Sequence, residues 1–189
     1  MEQKRLFWAI SLPENIKRKL FGLQSKLREI SADVKWVEQH NFHLTLKFLG
    51  DTHASRVQEL TNTVVHSISG TGAFSLELAD IGFFPGPKRP KVIWVGVRGE
   101  VEKFRQLHEK VEAAAASLGF TDHGNRFSPH LTLGRIRALR GSAELVERAA
   151  LIAKDLEIFG EIRVDAINLI ESQLTRKGPI YTTLVSLGL

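Results

Sequence analysis

The 189-residue chain contains no cysteine. That excludes a disulfide framework, thiolate metal sites and a cysteine nucleophile together. It also lacks long apolar runs. The opening MEQKRLFWAISLPENIKRKL offers neither the core of a signal peptide nor a membrane span. The expectation is a soluble, cytoplasmic protein. No low-complexity tract, Walker loop or dinucleotide fingerprint occurs, so the prolines and glycines read as turn residues. What is present, 43% hydrophobic and 25% charged residues, is the composition of a globular protein. The length suits one domain, or two small lobes built together.

Lysine and arginine number 26 against 21 acidic residues, giving a net charge of +5 and a pI near 9.6. Such an excess favours phosphate-bearing ligands, because polyanions attract it and counterion release rewards their binding.

Four amphipathic helices follow from apolar spacing. They are expected at 14–31 (Ile16, Leu20, Leu23, Leu27, Ile30), 54–68, 100–118 and 142–156 (Leu145, Ala149, Ile152, Leu156). Strands are expected at 5–12, at 91–97, in FHLTLKFLG and SPHLTLGR, and at 74–84, 161–174 and 180–187. The order is strand–helix–strand–helix–strand, twice, with one strand to spare. Trp8 precedes His43 by 35 residues and Trp94 precedes His130 by 36, so 5–84 and 91–174 read as two copies of one unit. We expect an α+β fold: a single bilobal domain over 1–189, with two antiparallel sheets flanked by helices around a central cleft. The opening strands are expected to pair across the repeats, with 180–187 closing the pattern.

HLTL stands at the same place in both copies, at 43–46 and 130–133. Residues two apart on a strand share a face. His43, Thr45 and Lys47 should therefore point one way, and Leu44, Leu46 and Phe48 the other. His130 and Thr132 pair likewise. Across a pseudo-two-fold the four polar side chains can line one cleft. Two imidazoles of ordinary pKa ~6.5 supply a base and an acid, and two hydroxyls can bind the oxygens of an anion. That set suits in-line displacement at phosphorus, and a cyclic phosphodiester would need no metal or cofactor. Arg135 could offset charge, but strict alternation sends it to the opposite face unless a bulge at Gly134 turns it back. The competing reading is a symmetrical pair of buried histidines bonded to backbone.

These phrases, with the flanking RLFWAISLP, HNFHLTLKFLGD, IGFFPGPKRPKVIWVGV and ESQLTRKGPIYTTL, make the chain resemble the 2H phosphoesterase superfamily. Within it, the likeness is to RNA 2′,3′-cyclic phosphodiesterases, also called 2′-5′ RNA ligases. The resemblance implies hydrolysis of a 2′,3′-cyclic phosphate at an RNA end, tRNA fragments included, to a 2′-phosphomonoester. It assigns His43 as proton donor, His130 as proton acceptor, and Thr45, Thr132 and Arg135 to the phosphate. By microscopic reversibility the same site would also carry out weak, ATP-independent 2′-5′ ligation to a 5′-hydroxyl, as a secondary activity. Alternatives are a phosphodiesterase for ADP-ribose cyclic phosphate or 2′-5′ oligonucleotides, and a non-catalytic module that holds RNA ends. No metal, cofactor, membrane or obligatory protein partner is expected, and the duplication favours a monomer.

The remaining histidines read as structural. His40 belongs to an exposed loop, His53, His66 and His108 to the surface, and His123 to a loop bordering the cleft. Lys47, Phe48, Phe84 and Phe127 are candidate RNA contacts, the last two being the aromatics favoured for exposure. The turns at 85–91 and 175–179 are basic enough to guide a strand.

Overall fold

A computed structural model describes residues 2–121, 127–155, 158–176 and 178–189. His123 lies outside them, as does Leu156. The elements are β1 (Gln3–Ser11), α1 (Glu14–Arg28), β2 (Val34–Trp36), β3 (His43–His53), α2 (Val57–Ile68), β4 (Phe74–Phe84) and β5 (Val92–Gly99), then α3 (Val101–Ser117), β6 (His130–Ile136), α4 (Ser142–Asp155), β7 (Gly160–Val164), β8 (Ala166–Thr175) and β9 (Gly178–Gly188). The four helices lie where apolar periodicity placed them. Leu20 and Leu27 of α1, and Leu107 and Val111 of α3, are fully buried. Among the described residues, no helix is long and apolar enough to cross a membrane.

The strands form two antiparallel sheets, ordered β3-β1-β8-β9 and β2-β6-β5-β4-β7. The predicted α+β architecture of two helix-flanked sheets is observed. Three details of the expected strand plan are corrected.

Segment 161–174 is two strands in different sheets, not one. Ile162 and Val164 are buried on β7, whereas Ile167 and Leu169 are buried on β8, so the apolar phase shifts by one residue at Asp165. A strand cannot keep one buried face through such a shift, and the chain changes sheets there.

The opening strands β1 and β5 do not pair with each other. Each is flanked by the HLTL strand of its own repeat and by a late strand of the other: β1 by β8, β5 by β4. Strand β9 pairs with β8, at the sheet edge. Each sheet is therefore completed by a strand from the opposite repeat.

Trp8 and Trp94 are not equivalent. Trp8 lies opposite Lys47, but Trp94 lies opposite Thr132, and the counterpart of Trp8 is Ile93, opposite Gly134. One residue of offset reverses the face. Trp8 is completely buried, while Trp94 is half-buried beside Phe84, its ring filling the space a Cβ at Gly82 would need.

The apolar side chains of the helix-covered faces form one connected core that includes residues of both sheets. The other face of the first sheet carries a small separate cluster of Phe7, Ala9 and Ile170, with Tyr181 packed against it.

Candidate active site

The alternation of β3 puts Leu44 and Leu46 in the core and leaves His43 and Thr45 half-buried on the other face. A bulge then intervenes: Thr45 pairs with Ala9, but Lys47 pairs with Trp8, so Leu46 is the extra residue. The bulge inverts the residues that follow it, up to a second register shift at Leu49. Lys47 turns into the protein, 2% exposed, with its Nζ 2.7 Å from Glu112 Oε1 on α3. Phe48 turns outward, 58% exposed, into the cavity that holds His43. The expectation that Lys47 shares the His43 face is thus corrected, and the buried Lys47 does not line the cavity where an RNA contact was expected. Phe48 occupies that place instead.

Strand β6 carries the same irregularity. Thr132 pairs with Trp94 and Gly134 with Ile93, leaving Leu133 as the extra residue. The bulge restores Arg135 to the face of His130 and Thr132. Gly134 is required because β2 lies against it: a Cβ there would come within 2.7 Å of Val34 Cγ1 and 2.9 Å of Trp36 Cε3.

Both imidazoles are held alike. His43 Nδ1 donates to the Asn41 carbonyl at 2.7 Å, and His130 Nδ1 donates to the Ser128 carbonyl at 2.7 Å. A carbonyl can only accept, so in the neutral ring Nδ1 keeps the proton and Nε2 keeps a free lone pair. Burial lowers the His43 pKa from its ordinary value, and the positive charges of Lys17 and protonated His130 add to this against the opposing Asn41 bond. Burial lowers that of His130 too, aided by Arg135. The surroundings differ. Phe7 lies 4.9 Å from the His43 ring and Tyr181 5.5 Å, edge-on. Phe84 stands edge-on to His130 at 5.0 Å.

One cavity of about 790 Å³ contains His43, Thr45, His130, Thr132 and Arg135 in its lining. That volume is within the range of sites for nucleotide-sized ligands. Among the described residues, Arg5, Arg28, Lys35, Arg135, Arg137 and Arg176 line it against one carboxylate, Glu38, so an anion is the ligand its field favours. Among the described residues, no three histidine or acidic side chains gather to hold a metal ion.

Phe127, favoured for exposure, instead stacks on His108 at 3.8 Å and meets Phe104 edge-on. Its partner His108 is not a surface residue either. It is half-buried, with Nδ1 2.8 Å from the carbonyl of Leu46, the bulged residue of β3. Phe84 is half-buried between Trp94 and His130, touching the catalytic candidate rather than opening to solvent. Basic segment 175–179 supplies Arg176 to the cavity lining, whereas 85–91 supplies none of it. His40 and His66 are exposed, and His53 is half-buried with an unpartnered Nδ1.

Several lining residues escaped the sequence reading. Tyr181, the only tyrosine, reaches the cavity from β9, and burial raises its pKa. Its alternation on the last strand was the available signal. Asn41 is 3% exposed; its Nδ2 donates to the Pro179 carbonyl, tying the residue that holds His43 to the β8–β9 hairpin. Lys35 and Trp36 come from β2, a three-residue strand too short to be read by periodicity.

The chain is similar to known proteins over most of its length. A family model described as LigT-like phosphoesterase matches residues 10–94 and again 95–181. A protein of Aeropyrum pernix named RNA 2′,3′-cyclic phosphodiesterase is 37% identical over 166 residues, covering 88% of this chain and 92% of its own. One of the same name from Methanocaldococcus jannaschii is 35% identical, covering 95% and 98%. Among solved structures, E. coli LigT complexed with 3′-AMP superposes with a TM-score of 0.79 at 26% identity, covering 100% of this chain and 99% of that one. E. coli LigT complexed with phosphate superposes with a TM-score of 0.74 at 27% identity and the same coverage.

Proposed function

The chain belongs to the LigT-like phosphoesterase family, and we propose that it hydrolyses 2′,3′-cyclic phosphates at RNA ends. The observation that carries this reading is a cation-lined cavity bearing two histidines, each with Nδ1 committed to backbone and Nε2 left for chemistry.

In the proposed reaction the cyclic phosphate lies between Thr45 and Thr132, whose hydroxyls donate to its non-bridging oxygens, with Arg135 offsetting its charge. His130 Nε2 takes a proton from water as the water oxygen bonds to phosphorus. The bond from phosphorus to O3′ breaks, and His43 Nε2 delivers its proton to O3′. The products are a 3′-hydroxyl and a 2′-phosphomonoester. The proton taken up by His130 returns to solvent, and His43 is reprotonated. An apolar setting beside Phe7 and Tyr181 disfavours the charged His43, so the substrate anion next to it is what stabilises the donor form. Run in the same direction with a 5′-hydroxyl replacing water as the attacking nucleophile, so that the bond from phosphorus to O5′ forms as that to O3′ breaks, the same groups would join RNA ends through a 2′-5′ linkage.

The test is phosphate-ester hydrolysis over a panel of 2′,3′-cyclic nucleotides, cyclic-phosphate-ended RNA, ADP-ribose cyclic phosphate and 2′-5′ oligonucleotides, with EDTA present. Turnover of the cyclic-phosphate-ended RNA to a 2′-phosphate is expected. Binding of that RNA without turnover would replace the enzyme with an end-binding module.

A further inference from the structure

A cyclic-phosphate end at the histidines leaves open where the preceding nucleotides lie. Resting on that reading, we propose that Lys35, together with Arg135 and Arg137, forms a second phosphate subsite for an internucleotide phosphate. The substrate class is then an oligonucleotide, not a cyclic mononucleotide.

The β2–β6 ladder places Lys35 directly opposite Arg135. Directly opposed residues of an antiparallel pair stand about 4.5–5.5 Å apart and share a face. Two cations there repel each other and weaken the ladder. No carboxylate forms an ion pair with Lys35, Arg135 or Arg137 among the described residues. Lys35 is exposed, so packing does not demand it. Its neighbours Val34 and Trp36 do the packing of this short strand, over Gly134.

All three cations line the same cavity as His130 and Thr132. Along β6 the bulge puts His130, Thr132 and Arg135 on one face, and Arg137, just past the strand's end, lines the same cavity. The cationic track therefore starts at the reacting phosphate and runs outward. The same cavity is also lined by two exposed apolar side chains, Phe48 and Leu174. Cations for phosphates with apolar surface for bases is the arrangement that grips a single strand. A mononucleotide has no second phosphate to use the track.

The experiment compares kcat/KM for a short RNA ending in a 2′,3′-cyclic phosphate with that for a 2′,3′-cyclic mononucleotide, in the wild type, Lys35→Gln and Lys35→Arg. The wild type should favour the oligonucleotide. Lys35→Gln should lower the oligonucleotide-to-mononucleotide ratio about five- to tenfold, with Lys35→Arg restoring most of it, and should make the log–log salt dependence of oligonucleotide binding shallower by ~0.7. A wild type indifferent to chain length, an unchanged ratio in Lys35→Gln, or an arginine variant no better than glutamine would overturn the subsite. A wild type inactive on both substrates would overturn the cyclic-phosphodiesterase reading itself, a different and recognisable result.

Discussion

The two HLTL strands share a backbone and differ in what surrounds their histidines. Both bulge at the leucine that follows the threonine, both hold an imidazole by a carbonyl two residues upstream, and both turn the same position toward the cavity. On β3 that position is Phe48; on β6 it is Arg135. The position before it is Lys47, buried against Glu112, on one strand and Gly134, beneath β2, on the other. His43 accordingly sits among aromatic rings and His130 near a guanidinium. Under the proposed mechanism, a duplicated scaffold becomes a directional site by changing two residues after each motif, without altering the motif.

The sharpest way to break this comparison is to remove each histidine. His43→Ala and His130→Ala should each reduce turnover by ~10²–10⁴-fold, the usual worth of a positioned acid or base, with circular dichroism unchanged. Loss confined to one of them would mean that only one half performs chemistry.

Next is the pair that differs. Arg135→Ala should cost ~10–100-fold in kcat/KM, as expected for a charge-assisted contact worth about 1.5–3 kcal/mol. Phe48→Ala should cost less, about five- to tenfold, and should spare phosphate binding. Equal losses of phosphate affinity in both variants would refute the division into a cationic and an apolar side.

The smallest expected effect is in pH. Both imidazoles titrate below the ordinary ~6.5, so both are mostly neutral in the free protein at neutral pH. The kcat/KM profile for a cyclic mononucleotide should therefore be a bell centred on the acid side of 6.5, falling as pH rises and the donor is lost. Because the Arg135 charge depresses His130, Arg135→Ala should move the acid limb to higher pH. A wild-type basic limb above pH 8 would be incompatible with His43 as donor.

Much of this was legible in the sequence, for identifiable reasons. The helices were readable because Leu20, Leu27, Leu107 and their neighbours recur at helical spacing, and the His-x-Thr faces because strands alternate. Gly134 hinted at a bulge, since glycine in a strand invites one. The matching bulge in β3 left no such mark: Leu46-Lys47-Phe48 contains no glycine, so alternation misassigned both Lys47 and Phe48. The sheet change at Asp165 was visible as a phase shift from Ile162 and Val164 to Ile167 and Leu169, but only if the two halves of the run were scored separately. Tyr181 and Lys35 belong to the site through strand order, and strand order arises from pairings between distant segments that local patterns do not encode.

The exchange of strands between repeats bears on how the protein is made. Strand β1 is an inner strand, yet its second neighbour is β8, with Leu6 paired to Glu171. A ribosome has synthesised both histidines long before it reaches that strand. Until β8 and β9 emerge, β1 keeps an open edge and His43 lacks its Tyr181 wall. Such an exposed edge can pair with another chain. Assembly of the cleft thus waits on β8 and β9, strands translated after both HLTL motifs are complete.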